Sequence, residues 1–153
     1  MRRFNQPFPA ENPERVRWLE EEVHELVTAL FKNDRLAALD AVIDYYYIAK
    51  GGVLENPSLQ PIQPISCLCL GVEAEHSEAV LESAWKIVHA ANMSKVWTTA
   101  ERDACTDASI VFTPCGDYKL DDEPLWIGQR NGKVVKPPSW VGPEAALMEL
   151  LAK

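Results

Sequence analysis

Residues 20–25 read Glu-Glu-Glu-Val-His-Glu, and further along the chain Asp40 and Asp44 stand four residues apart. At about 100° per residue, Glu21, Glu22 and Glu25 fan over roughly a third of a helix circumference, beside an apolar stripe. Asp40 and Asp44 are one helical turn apart, and Tyr47 continues the same row. Like charges at this spacing weaken a helix slightly, and aspartate is a poor helix former in the interior. Such a local violation tends to mark a functional position. If the two helices pack antiparallel, both carboxylate rows face one cleft, where five like charges would repel. A divalent cation resolves that conflict. Hard oxygen donors without accompanying cysteine suggest Mg²⁺, with Mn²⁺ in its place. The plainer reading of the glutamates is a solvated face near a helix N-terminus. His24, alone among the acids, reads as a surface residue.

Elements must exist to position these groups. Residues 1–12 are polar and Pro-rich, an extended arm. Pro13, preceded by Asn12 as cap, suits a helix start. Val16, Leu19, Val23, Leu26, Val27 and Leu30 then recur at three- and four-residue steps, which predicts an amphipathic helix to about Lys32. Asn33-Asp34 breaks it and caps a second helix, marked by Leu36, Leu39, Ile43, Tyr46 and Tyr47 and ending at Gly51-Gly52. So short a break implies an antiparallel pair. Residues 53–66 carry Pro57, Pro61 and Pro64 and read as a loop. Residues 71–93 predict a third helix, its acidic first half (Glu73, Glu75, Glu78, Glu82) solvated. In the region 109–136, Ser109–Thr113 is a strand run and Pro114–Asp117 a turn. Leu125–Gln129 and Val134–Lys136 flank Asn131-Gly132, a strong hairpin signal. A small sheet of two or three strands follows, then a last short helix from Pro143 to Leu151.

Composition bounds the class. The 153 residues suit a single domain, and 47% hydrophobic with 25% charged residues is ordinary globular usage. No apolar run approaches the ~20 residues of a membrane span, and no apolar segment follows Arg2-Arg3 to make a secretory signal. A cytoplasmic location is the expectation. The formal charge of −8 argues against nucleic acid as main partner. Cys67, Cys69, Cys105 and Cys115 lack zinc-finger spacing and read as buried free thiols, a four-cysteine zinc site being the minority reading.

With these residues on the page, a family comes into view. Glu21-Glu22-x-x-Glu25, a helix break, then Asp40-x-x-x-Asp44-x-x-Tyr47-x-x-x-Gly51 resembles the all-α nucleoside triphosphate pyrophosphohydrolases, which include MazG-like proteins and phosphoribosyl-ATP pyrophosphohydrolases. Many members carry Glu-x-x-Asp on the second helix, where this chain has Ala41 and its acid at Asp40. Asn92-Met93-Ser94-Lys95, paired with Gly132-Lys133-Val134-Val135-Lys136-Pro137, is similar to phage and bacterial members of the phosphoribosyl-ATP branch. The resemblance spans most of residues 13–140. Residues 97–131 are longer than the family pattern.

The resemblance implies a mainly α fold: antiparallel helices in a four-helix-bundle core, oligomeric, with a small β-hairpin near the C-terminus. It implies an enzyme releasing pyrophosphate and a nucleoside monophosphate. Glu22, Glu25, Asp40 and Asp44 would hold two or three Mg²⁺ ions per site, and Glu21 would orient or deprotonate water. Asn92, Lys95, Lys133, Lys136 and Tyr47 would contact the nucleotide; Trp18, Trp85 and Trp97 are further stacking candidates that more often serve the core. The layout looks like the phage MazZ-type branch, which acts on dGTP or GTP. Pyrimidine or damaged triphosphates and phosphoribosyl-ATP are the rival substrates. A homodimer or homotetramer is expected. The contrasting class is a non-enzymatic, partner-binding helical dimer.

Overall fold

The computed structural model describes residues 13–55 and 69–153. The helices are α1 (Pro13–Phe31), α2 (Arg35–Glu55), helical residues 69–73 (α3), α4 (Glu78–Met93), α5 (Thr99–Ala104) and α6 (Glu144–Leu151). The strands are β1 (Val111–Leu120), β2 (Glu123–Arg130) and β3 (Lys133–Val135). They fall into two compact units. One ends at Ala90 and resumes at Gly142; the other is the inserted Ala91–Val141.

The helical unit is built on an αα-hairpin. Asn33 takes a left-handed φ of 52° to end the first helix, and Asp34 Oδ1 accepts the Ala37 amide at 3.0 Å to start the second. The three-residue link and extensive α1–α2 packing make the pair antiparallel. α2 is apolar almost all round: between Arg35 and Lys50 its sole charged residues are Asp40 and Asp44. One face (Ala38, Ala41, Val42, Tyr45) packs with Leu26 and Ala29 of α1 and with Cys69 and Val72 of α3. The other, Leu39 and Ile43, packs with Ala84 and Val88 of α4 and Leu147 of α6.

The sheet unit is an antiparallel meander in the order β1-β2-β3. Two-residue turns join the strands: Asp121-Asp122 with φ of 51° and 65°, and Asn131-Gly132 with 51° and 78°. Positive φ at both central residues is the turn that matches strand twist, and it favours Asn, Asp and Gly. Trp97 bridges Trp126 on β2, and Gly128 leaves room for its indole, whose Nε1 would lie 2.9 Å from an added Cβ. α5 opens on a capping box: Glu101 N donates to Thr98 Oγ1 at 3.2 Å, and Thr98 N donates to Glu101 Oε2 at 2.9 Å.

The expected four-helix-bundle fold class, mainly α with an appended hairpin, is therefore corrected. Among the described residues, six helices and a three-stranded antiparallel sheet make this a mixed α/β protein. Residues 97–131, longer than the family pattern, lie within the compact Ala91–Val141 unit, which packs around Cys115 and Ile127. Three local expectations also change. The helix predicted over 71–93 breaks at residues 74–77 and restarts at α4, where Ser77 Oγ accepts the Val80 amide at 3.3 Å. Pro114–Asp117 is no turn; β1 runs through it, with a bulge between Pro114 and Lys119. α2 continues past Gly51-Gly52 to Glu55. The arm 1–12 and Cys67 lie outside the described residues.

Candidate functional site

α1 and α2 carry the five candidate carboxylates, and their periodicity sets each one's exposure. Glu22 falls on the buried face of α1, one turn from both Trp18 and Leu26. Its Oε2 is a buried atom, and so is Asp40 Oδ1 on α2. Both side chains also engage in further interactions within the protein. Glu25 and Asp40 line one groove of about 320 Å³, together with His24, Thr28, Lys32 and Asp34. Glu25 is exposed and Asp44 half-buried. Glu21 stands to the side, its Oε1 3.5 Å from Arg17 Nε on the same helix. The structure thus brings Glu25 and Asp40 to one groove and buries an oxygen of Glu22.

Lys32 was not singled out from the sequence. It stands seven residues after Glu25, which returns it to the same face of α1, and that spacing is the signal that could have found it. Tyr47 lies in an aromatic cluster, its ring 5.9 Å from Trp85 and 5.7 Å from His89. Trp18 is buried in the helical unit; Trp97 is buried in the sheet unit, edge-on to Phe112.

In the helical core Cys69 is buried and Tyr46 half-buried. Burial, and next the nearby Glu73 charge, push the Cys69 thiol up to about 11 and the Tyr46 hydroxyl up to about 12. Burial likewise raises Tyr45. A thiol so protonated is a poor nucleophile. Cys69 and Cys115 are buried free thiols, and Cys105 is free and partly exposed.

Asn92, Lys95, Lys133 and Lys136 belong to the sheet unit. Lys95 and Lys136 meet there around Trp140, with Nζ atoms 5.3 and 4.3 Å from its ring centroid. Lys133 is exposed at the start of β3, and Asn92 lies in the last turn of α4.

No family model, no curated protein and no solved structure matches the chain.

The fit of a divalent cation is decided by donor type and grouping. The donors are carboxylate oxygens, which suit Mg²⁺ and Mn²⁺. Among the described residues no three His, Cys, Asp or Glu side chains form a ready metal-binding group. Mg²⁺ does not require one: it keeps several waters and binds through one or two carboxylates plus substrate phosphates. Donors of this type would suit such a cation. No helix among the described residues is long and apolar enough to cross a membrane.

Proposed function

We propose that the chain is a Mg²⁺-dependent hydrolase that cuts a nucleoside triphosphate into the monophosphate and pyrophosphate. The observation that carries this reading is the pair of buried carboxylate oxygens, Glu22 Oε2 and Asp40 Oδ1, on two helices packed as a hairpin. Ionised oxygens out of water need compensating groups, and a bound cation would add to that compensation. Glu22, Glu25, Asp40 and Asp44 would hold the ions, two or three with substrate bound, and Mn²⁺ would substitute. When bound, the metal neutralises phosphate charge and makes water easier to deprotonate.

The chain's own residues then have separable tasks. Glu25 and Asp40 present carboxylates to the groove, and Lys32 at its edge offers a point charge to a phosphate oxygen. Glu21 is the proposed base, its Oε1 lying 3.5 Å from Arg17 Nε. Asn92, Lys95, Lys133, Lys136 and Tyr47 remain the proposed nucleotide contacts, on the resemblance of their motifs. A cytoplasmic protein, a homodimer or homotetramer, goes with this reading. Phe31, 86% exposed beside exposed Leu30, supplies apolar surface for such an assembly.

The test is the pair Glu22→Gln and Asp44→Asn. Each is expected to lower Mg²⁺-dependent pyrophosphate release by roughly 10²-fold or more, with the circular dichroism spectrum unchanged. Retained activity in both overturns the proposal. A panel of dGTP, GTP, pyrimidine triphosphates and phosphoribosyl-ATP assigns the base and sugar. The rival, a partner-binding helical dimer, draws on the absence of a three-ligand group among the described residues. It predicts no thermal stabilisation by Mg²⁺, whereas an ion-binding site raises Tm by mass action.

A further inference from the structure

The face of α2 that walls the groove continues beyond it. Ala37 and Asp40 line the groove. Asp44 and Tyr47 follow at steps of four and three, so all four residues share one side of the helix. At 1.5 Å per residue, Tyr47 stands about 10 Å along the axis from Asp40. Three chemistries therefore succeed one another along the hairpin. A cation, Lys32, stands at the end of the groove nearest the α1–α2 link. The carboxylates of Glu25, Asp40 and Asp44 come next, and aromatic rings close the row.

The rings come from two helices. Trp85 and His89 stand one turn apart on α4. Their centroids lie 5.9 and 5.7 Å from that of Tyr47, with the planes tilted by 39° and 43°. Tyr47 and Trp85 are half-buried, and His89 is exposed. Trp85 packs on the core cluster around Leu39 and Val88. Its indole is thus fixed from below, while part of each ring faces solvent. A ligand that stacks there meets rings already in place, which lowers the ordering cost of binding. The ligand such a surface takes is a planar heterocycle. Stacking tolerates any nucleobase, because every base has a π-face.

The order of groups along α2 matches the order in a nucleoside triphosphate, with phosphates at one end and a base at the other. We infer that Tyr47, Trp85 and His89 form the wall on which the base stacks, the substrate lying along α2 with its terminal phosphate towards Lys32. Trp85 and His89 become residues that hold the base, and the wall accepts different bases with similar strength. The orientation rests on the proposed function, which places phosphates among the carboxylates. The wall itself needs neither metal nor hydrolysis.

The experiment therefore titrates the full-length protein in EDTA with adenosine, cytidine and uridine, and with ribose as the base-free control, followed by ligand-observed NMR. Uncharged probes avoid repulsion by the carboxylates. Each nucleoside is expected to bind, with saturation passing more strongly to base protons than to ribose protons. Ribose should bind about tenfold more weakly or worse. His89→Ala, at an exposed position, should weaken nucleoside binding about fivefold or more with the circular dichroism spectrum unchanged, and His89→Phe should restore it to within about twofold. In triphosphate hydrolysis His89→Ala should raise KM by a similar factor and hold kcat within about twofold, the mark of binding shared by ground and transition states. Ribose binding as tightly as the nucleosides, no nucleoside binding by the wild type, or wild-type affinity in His89→Ala overturns the inference. None of these outcomes depends on hydrolysis, so a lack of pyrophosphate release overturns the proposed function separately.

Discussion

The helical and sheet units handle charge in opposite ways. Residues 8–90 with 142–153 carry 16 acidic and 7 basic side chains; residues 91–141 carry 7 and 6. The sheet unit pairs much of its charge locally, in Arg102–Asp103 and Arg130–Asp107, and gathers Lys95 and Lys136 on one indole. The helical unit leaves its acids in excess and buries oxygens of two of them. The excess of negative charge therefore lies in the helices, and the sheet unit is close to neutral. The helical unit carries −9 and residues 91–141 carry −1, Arg2 and Arg3 making up the difference, so the protein's charge of −8 comes almost wholly from the helical unit.

That contrast can be broken first through the cores. Leu39 and Ile127 are both fully buried, one in each unit. Leu39→Ala and Ile127→Ala should each cost about 2–5 kcal/mol. Calorimetry should show the first lowering the melting of the helices and the second that of the sheet. A single transition shifted alike by both would show that the units melt as one.

Acid and alkali should sharpen the contrast next. In the helical unit Cys69 and Tyr46 hold their protons more tightly when folded, with values of about 11 and about 12 against ordinary values of 9.0 and 10.0. The folded state then binds more protons, so this stability is complete below about pH 9 and is lost as pH rises through 9 to 12. The loss should be roughly 1–3 kcal/mol, and Cys69→Val should flatten the limb. In the sheet unit Glu101 and Asp107 are held below their usual range, Glu101 by hydrogen bonds that outweigh partial burial and Asp107 by Ser109 and Arg130. Their contribution is present above the ordinary carboxylate range and is lost as pH falls through it. Glu101→Gln should flatten that acid limb in a plot of Tm against pH.

The smallest effect is expected at the capping box. Thr98→Ala should cost about 1 kcal/mol, read as a lower denaturant midpoint for the sheet unit with the helical unit unchanged.

The α1–α2 hairpin was legible because its apolar period is long and its break is short. The sheet was legible where Asn131-Gly132 announced a turn, and illegible where chemistry was ambiguous. Pro114 reads as a strand breaker, but β1 is an edge strand, where proline forfeits no ladder bond. Asp121-Asp122 has no glycine to announce a turn, though aspartate tolerates the left-handed conformation seen there. The Thr98-x-x-Glu101 signature was present in the sequence, yet the six-residue helix it starts carries too little periodicity to be seen. At the candidate site, residue type pointed to Glu22, Glu25, Asp40 and Asp44. It did not show that Glu22 faces inward, because a glutamate row beside an apolar stripe looks the same on either side of the boundary. Trp140 was invisible because its partners lie 49 and 45 positions away, at Ala91 and Lys95.

The insertion of the sheet unit into the helical one has a consequence for the order in which the chain acquires structure. Every strand pairing is between neighbours in sequence, so the meander forms from local contacts and closes quickly. The helical core cannot do the same. Leu147, with no exposed surface, completes the cluster of Leu39, Ile43, Ala84 and Val88, and it follows the whole sheet in the chain. During synthesis the Leu39–Ile43 face of α2 must wait, incompletely covered, until Leu147 arrives. Truncation at Gly142 would leave that wait unending, which makes α6, short as it is, the step on which solubility of the nascent protein turns.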